Sequence, residues 1–255
     1  MKKSLLGLAA AALLMSAGTA EASNVGGFTQ ADTRSFLSYS IIDGSNYTNL
    51  RTQTLNAGHT LSGLTGALTS GYLNSIDVFF TGIVETDGTD ISLSTAEQTA
   101  LTDWVTGGGT LFVVGENDNF DANVNEFLNL FDLNLGATSS SGGTWASIAD
   151  PLLSGITGGS NVGFNSGGAP ISGSGFTALA SDGTGATVVS KAFGLGRIVA
   201  TGDGNMFQSD QQSIQFALNV FGTSEVSTVP VPAALPLLAA SLAFFGFLSR
   251  RRTRT

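Results

Sequence analysis

The hydrophobic pattern is clearest over residues 94–121, STAEQTALTDWVTGGGTLFVVGENDNFD, where helix, stop, buried strand and acidic loop follow one another. Ser94 and Glu97 have the spacing of a reciprocal N-terminal cap, in which each side chain satisfies a backbone N–H near the other. Ala100, Leu101, Trp104 and Val105 fall on one face of the helix this starts. Gly107, Gly108 and Gly109 end it, because glycine enters a left-handed turn without steric cost. Leu111–Val114 is apolar without alternation, which predicts a central parallel strand covered on both faces.

Elsewhere the pattern predicts strands at Phe36–Ile42, His59–Leu61 and Asp77–Phe80. A weakly amphipathic segment from Tyr47 to Leu55 separates the first two, and a brief helix holding Leu64 and Leu68 separates the second and third. Val124, Phe127, Leu128 and Phe131 recur at helical spacing after Asp121. From Gly136 to Gly175 the periodicity dissolves into eleven glycines and many serines, which reads as an irregular insertion within one domain. Strand patterns resume at Phe176–Ala180, Ala186–Phe193 and Arg197–Thr201, the last two joined by a hairpin turn at Gly194–Gly196. Ser209 and Gln212 repeat the capping spacing, and Ile214, Ala217, Leu218 and Phe221 give a last helix its apolar face. Alternation of strands and helices argues for an α/β, doubly wound, mostly parallel sheet over residues 30–223, because parallel neighbours need crossover connections. Leu111, Val113, Val78, Phe80, Val199 and Leu218 are the expected core.

The ends of the chain read as address labels. Met1–Ala22 has two lysines, an apolar run and an Ala20-Glu21-Ala22 cleavage site, a secretory signal that predicts a mature start at Ser23. Val229-Pro230-Val231-Pro232 precedes an apolar run from Ala233 to Leu248 that approaches bilayer-spanning length, and Arg250, Arg251, Arg252 and Arg254 close the chain. That layout, residues 224–255, predicts a C-terminal transmembrane helix with its arginines on the cytoplasmic side.

Charge then narrows the partners. Between residues 23 and 229 there are four basic and eighteen acidic side chains, a net −14, which repels phosphate backbones and excludes nucleic acid. The chain has no cysteine, so disulfides, thiolate metal sites and cysteine nucleophiles are excluded together. If the sheet is parallel, the loops after its strands gather Asp43, Glu85, Asp87, Glu116, Asp118 and Asp203 along one edge. Such carboxylates, with Asn117, Asn119 and Asn205 beside them, are a calcium-type ligand set, although no EF-hand spacing is present. A solvated acidic rim is the other reading of the same residues. Glu116 and Asp203 could also form a carboxylate pair for glycoside hydrolysis. His59, the only histidine, reads as a structural residue at a strand start, and Trp104 as core. Trp145 reads either as a filler of a local pocket or as an exposed ring for stacking on sugar.

The tail, Val229-Pro230-Val231-Pro232-Ala233-Ala234 with its apolar run and arginine cluster, resembles the PEP-CTERM sorting signal in its Val-Pro-x-Pro-Ala variant. The resemblance implies an exopolysaccharide-producing Gram-negative bacterium and recognition by an exosortase-type membrane protease. It also implies transient anchoring in the inner membrane, then surface attachment or release. The central domain resembles the class I glutamine amidotransferase-like fold, a flavodoxin-like architecture. Gly58-His59, Asp77–Phe80, Leu93-Ser94 with Trp104–Gly109, Asp150-Pro151-Leu152 and Gly196–Asp203 carry that likeness. Active members have a cysteine at the tight turn occupied here by Gly115-Glu116-Asn117. Their histidine follows a late strand, where this chain has Thr201-Gly202-Asp203-Gly204-Asn205. Amidotransferase chemistry is therefore excluded. Two function classes follow: a non-enzymatic surface or matrix protein that binds glycan, cation or protein, and an extracellular carboxylate-dependent hydrolase acting on polysaccharide.

Overall fold

The computed structural model describes residues 22–223, apart from 37, 86–90, 118–119, 137–139, 141 and 165–167. Ten strands are present among them: β1 (Asn24–Phe28), β2 (Thr60–Leu64), β3 (Val78–Ile83), β4 (Thr110–Val114), β5 (Leu133–Leu135), β6 (Thr144–Trp145), β7 (Ile171–Gly173), β8 (Thr177–Ser181), β9 (Ala186–Phe193) and β10 (Gly196–Thr201). Six α-helices accompany them: α1 (Thr48–Asn56), α2 (Ser70–Leu73), α3 (Thr95–Thr106), α4 (Asp121–Leu128), α5 (Met206–Ser209) and α6 (Gln211–Gly222). β2, β1, β3, β4 and β10 lie side by side and parallel, in that order. β9 turns back antiparallel on β10, and β8, β7, β6 and β5 extend this antiparallel wing. The architecture is thus a mixed, mostly parallel α/β sheet with a late hairpin, and the glycine-rich stretch contributes β6 and β7 to the wing.

Residues 94–114 form as their pattern predicts. The Ser94 hydroxyl accepts from the Glu97 N–H and the Glu97 carboxylate accepts from the Ser94 N–H, so the cap is reciprocal. Every residue of β3 and β4 is buried. Adjacent strand residues point to opposite faces, and Phe79 and Phe80 divide the core accordingly. Phe79 meets Phe28 and Tyr72 on one face, with ring centroids 5.1 and 6.2 Å away. Phe80 meets Tyr47, Phe112, Phe207 and Phe221 on the other. Edge-to-face packing of this kind adds about 1 kcal/mol per pair beyond the area buried.

Several elements differ from the sequence pattern. Phe36–Ile42 is not a strand: its backbone is spent in turns, with the Tyr39 N–H on Phe36 O and the Gly44 N–H on Ser40 O. The first strand is β1, ahead of residue 30, whose two glycines interrupt its apolar run. Gly26 is required there, because a Cβ would collide with the Ile76 side chain and the Tyr72 hydroxyl. No helix joins Leu64 to Leu68: Leu64 ends β2, and Thr69 caps the four-residue α2 instead. α6 is capped by Asp210, which accepts from the Ser213 N–H at 2.9 Å, and not by Ser209 with Gln212. A carboxylate one residue further on outcompetes the serine, and Gln212 turns aside to accept from Thr157 and Ser160. Leu218 is only half-buried, whereas Phe216 and Val220 are fully buried. The export signal and the predicted transmembrane tail lie outside the described residues, except for Ala22. Among the described residues no helix is long and apolar enough to cross a membrane.

A largely buried ion-pair cluster, with Arg34 itself half-buried, ties the loops after β1 and β2 to α3. Arg34 reaches Asp32 at 2.9 Å and Glu97 at 2.8 Å, donates to Gly66 O, and lies 4.3 Å over the Phe28 ring. Glu97, already the partner of the cap, also accepts from the Leu68 N–H.

Candidate functional site

The carboxyl ends of β4 and β10 approach so closely that Gly115 donates its N–H to Thr201 O at 2.7 Å. A Cβ at Gly115 would collide with that same carbonyl. The contact brings the two following loops together, and the Glu116 carboxyl hydrogen-bonds the Asp203 carboxylate. Glu116 is 4 % exposed and Asp203 fully buried. Two carboxylates in contact and out of water cannot both carry charge, so one proton is held between them. Burial, the Asp203 charge and the hydrogen bond to it push Glu116 up to about 8, against backbone N–H donors from Asn117 and Gly204.

The shell around the pair is polar and neutral. Asn205 donates its N–H to Asp203 at 2.7 Å and its side-chain amide to Glu116 at 3.1 Å. The Tyr39 hydroxyl donates to the Asn205 amide oxygen at 2.9 Å, and Gln208 donates to both. Tyr47 donates to Gly204 O at 3.1 Å. Burial followed by the nearby carboxylate charges raises both tyrosines, Tyr47 the more strongly. Tyr39, Tyr47 and Gln208 were not legible as site residues. Tyr39 lies in the stretch that reads as a strand, and Tyr47 at the start of a helix pattern.

Of the six carboxylates expected along this edge, Glu116 and Asp203 converge. Asp43 is exposed and accepts from the Gln30 N–H at 2.9 Å. Glu85 is half-buried, with its backbone N–H on Arg34 O. Asp87 and Asp118 lie outside the described residues, as do Asn119 and the sorting-signal residues Val229, Pro230, Val231, Pro232, Ala233, Arg250, Arg251 and Arg252. Among the described residues no three histidine or carboxylate side chains stand close enough together to hold a metal ion.

The aromatic candidates resolve inward. Trp104 packs in the core, and Trp145 is 1 % exposed with its ring 5.1 Å from Phe216, which leaves no open face for a sugar. His59 is buried at the amino end of β2, where Nδ1 accepts from the Ser23 N–H at 3.1 Å and burial lowers its pKa.

Comparison with known proteins places the architecture. No protein-family profile matches the chain, and no curated protein matches it. Solved structures do. The N-terminal domain of mmIFT52 is 17 % identical, with a TM-score of 0.57 over 78 % of this chain and 95 % of that one. A cytoplasmic protein of Salmonella typhimurium LT2 is 12 % identical, with a TM-score of 0.53 over 78 % and 98 %. A putative GMP synthase protein from Thermoplasma acidophilum is 12 % identical, with a TM-score of 0.50 over 80 % and 94 %. At such identities the likeness is one of fold: a class I amidotransferase-like α/β architecture.

Proposed function

We propose that this chain is an exported cell-surface or extracellular-matrix protein of an exopolysaccharide-producing bacterium, and a binding or structural module rather than an enzyme. The observation that carries the non-enzymatic reading is the contact between Glu116 and Asp203. At the turn where the resembled family has its cysteine, this fold carries a carboxyl group engaged by a second carboxylate. Neither is a nucleophile beside a base, and neither is open to a substrate. The two ends supply the rest. An export signal through Ala22 and a PEP-CTERM-type tail over residues 224–255 imply passage through the inner membrane and transient anchoring there. Processing by an exosortase-type protease and delivery to the surface or medium then follow. Exopolysaccharide is the partner this destination offers.

A second reading, an extracellular carboxylate-dependent hydrolase of polysaccharide, draws on one observation. Glu116 keeps its proton to about pH 8, as a general acid must. Against it, hydrolytic carboxylates stand about 5 Å or more apart, with the scissile bond between them, whereas these two touch. Incubating the purified protein with the producer's own exopolysaccharide tests both readings. Co-sedimentation without new reducing ends is the expected result. Reducing ends that form with the native protein and not with the Glu116→Gln variant would establish the hydrolase.

A further inference from the structure

Away from the carboxylate pair, a groove of about 570 Å³ opens between the start of β2, the turn at Pro151 and the outer face of α6. Its volume is that of sites that hold small ligands, about 300–1,000 Å³. Its lining combines apolar surface from Pro151 and Leu218 with His59, Ser154, Gln215 and Asn219, and among the described residues it contains no charged side chain.

His59 is the informative member. It is 6 % exposed, and the Ser23 N–H fixes Nδ1 as an acceptor. The neutral imidazole therefore carries its hydrogen on Nε2. Among the described residues that N–H has no partner, and the ring lines the groove. Cleavage before Ser23 would preserve this arrangement, because an α-ammonium at Ser23 is also a donor. Asn219 is rigidly held: its amide hydrogens go to Leu152 O at 2.9 Å and Ser154 O at 2.7 Å, and its oxygen accepts from Gln215. The groove thus offers one fixed donor, amide oxygens that act as acceptors, and an apolar wall.

That set selects a ligand class. Among the described residues the lining holds no cation, the nearby Arg197 being engaged with the Thr223 hydroxyl at 3.4 Å, and an anion would meet a domain, residues 30–223, of net −13. A cationic ligand would find no carboxylate among the described residues of the lining. Hydroxyl groups both donate and accept, and a sugar ring also presents a C–H face to an apolar wall. We propose that this groove binds an uncharged sugar unit of a glycan, with His59 Nε2–H donating to a ligand oxygen and Leu218 and Pro151 covering the ring face. The inference rests on the glycan-binding reading above and gives it a location.

Because His59 is the chain's only histidine, its imidazole resonances are unambiguous. Titration of the full chain with maltotriose, and separately with the producer's exopolysaccharide, should shift them saturably with at least one of the two probes. Leu218→Trp, which fills the groove from a half-exposed position, should weaken that binding at least ten-fold. Leu195→Trp, on the exposed β9–β10 turn, should leave it unchanged. Binding by equilibrium dialysis without a saturable His59 shift, or binding indifferent to Leu218→Trp, overturns the groove assignment and leaves the glycan reading standing. Absence of binding by either probe overturns both.

Discussion

Glu116 and Asp203, eighty-seven residues apart in sequence, share one hydrogen bond where β4 and β10 end, and the pair holds one proton between them. The folded pKa of Glu116, about 8, lies above the ordinary 4.5. Between those values the folded chain holds a proton that the unfolded chain has released, so stability falls as pH rises through the window. The contribution is complete below about pH 4.5 and gone above about pH 8. Melting temperatures across pH 5–9 should show this decline. Glu116→Gln keeps a hydrogen-bond donor toward Asp203 without titrating, so it should flatten the slope and be the more stable protein at pH 9. An unchanged slope in the variant would refer the pH dependence to other groups.

Arg34 gives the opposite sign. Burial alone would raise Asp32 and Glu97, but hydrogen bonds outweigh it and hold both below their ordinary values. Arg34 and Gly66 supply those to Asp32, and Leu68 and Ser94 supply those to Glu97, with the Arg34 charge adding to both. Their contribution is present above the ordinary carboxylate range and is lost as pH falls through the depressed folded values. Arg34→Met would keep the stem over Phe28 but strand two carboxylates, at a cost of about 3 kcal/mol. Chemical denaturation at pH 7 measures this. A loss under about 1 kcal/mol would mean that water reaches and solvates the cluster.

Val113 lies in β4 with no exposed surface. Val113→Asp would bury an unpaired charge, and about 4 kcal/mol or more should be lost. Thermal unfolding followed by circular dichroism is sufficient. An unaltered transition would remove β4 from the centre of the core.

Ser23 links processing to the fold. Its hydroxyl donates to Phe221 O at 2.6 Å and its N–H to His59, immediately before β1 begins. A mature chain starting at Ser23 keeps both bonds, and one starting at Asn24 loses them. Intact-mass measurement of the exported protein should give Ser23 as the first residue. Retention of Met1 would end the signal-peptide assignment.

What the sequence determined by itself was local and periodic. The reciprocal Ser94–Glu97 cap, the apolar face of α3, the unbroken run of β4 and the turn between β9 and β10 each depend on neighbours within a few residues, and each is legible for that reason. The chain's pattern of strands and helices likewise pointed to a parallel α/β sheet, and the absence of cysteine excluded the chemistry of the family it resembles. Tertiary structure decided the rest. β1 was hidden because Gly26 and Gly27 replace apolar side chains where Tyr72, Ile76 and the Phe80 carbonyl press on the backbone, a crowding that no local pattern records. Phe36–Ile42 looked like a strand because its rings and aliphatic chains pack against the core, although its hydrogen bonds close turns. Glu116 and Asp203 were legible as loop acids at strand ends. That they touch and share a proton within a shell of Tyr39, Asn205 and Gln208 depends on how closely Gly115 lets β4 approach β10, a distance that only the packed sheet sets.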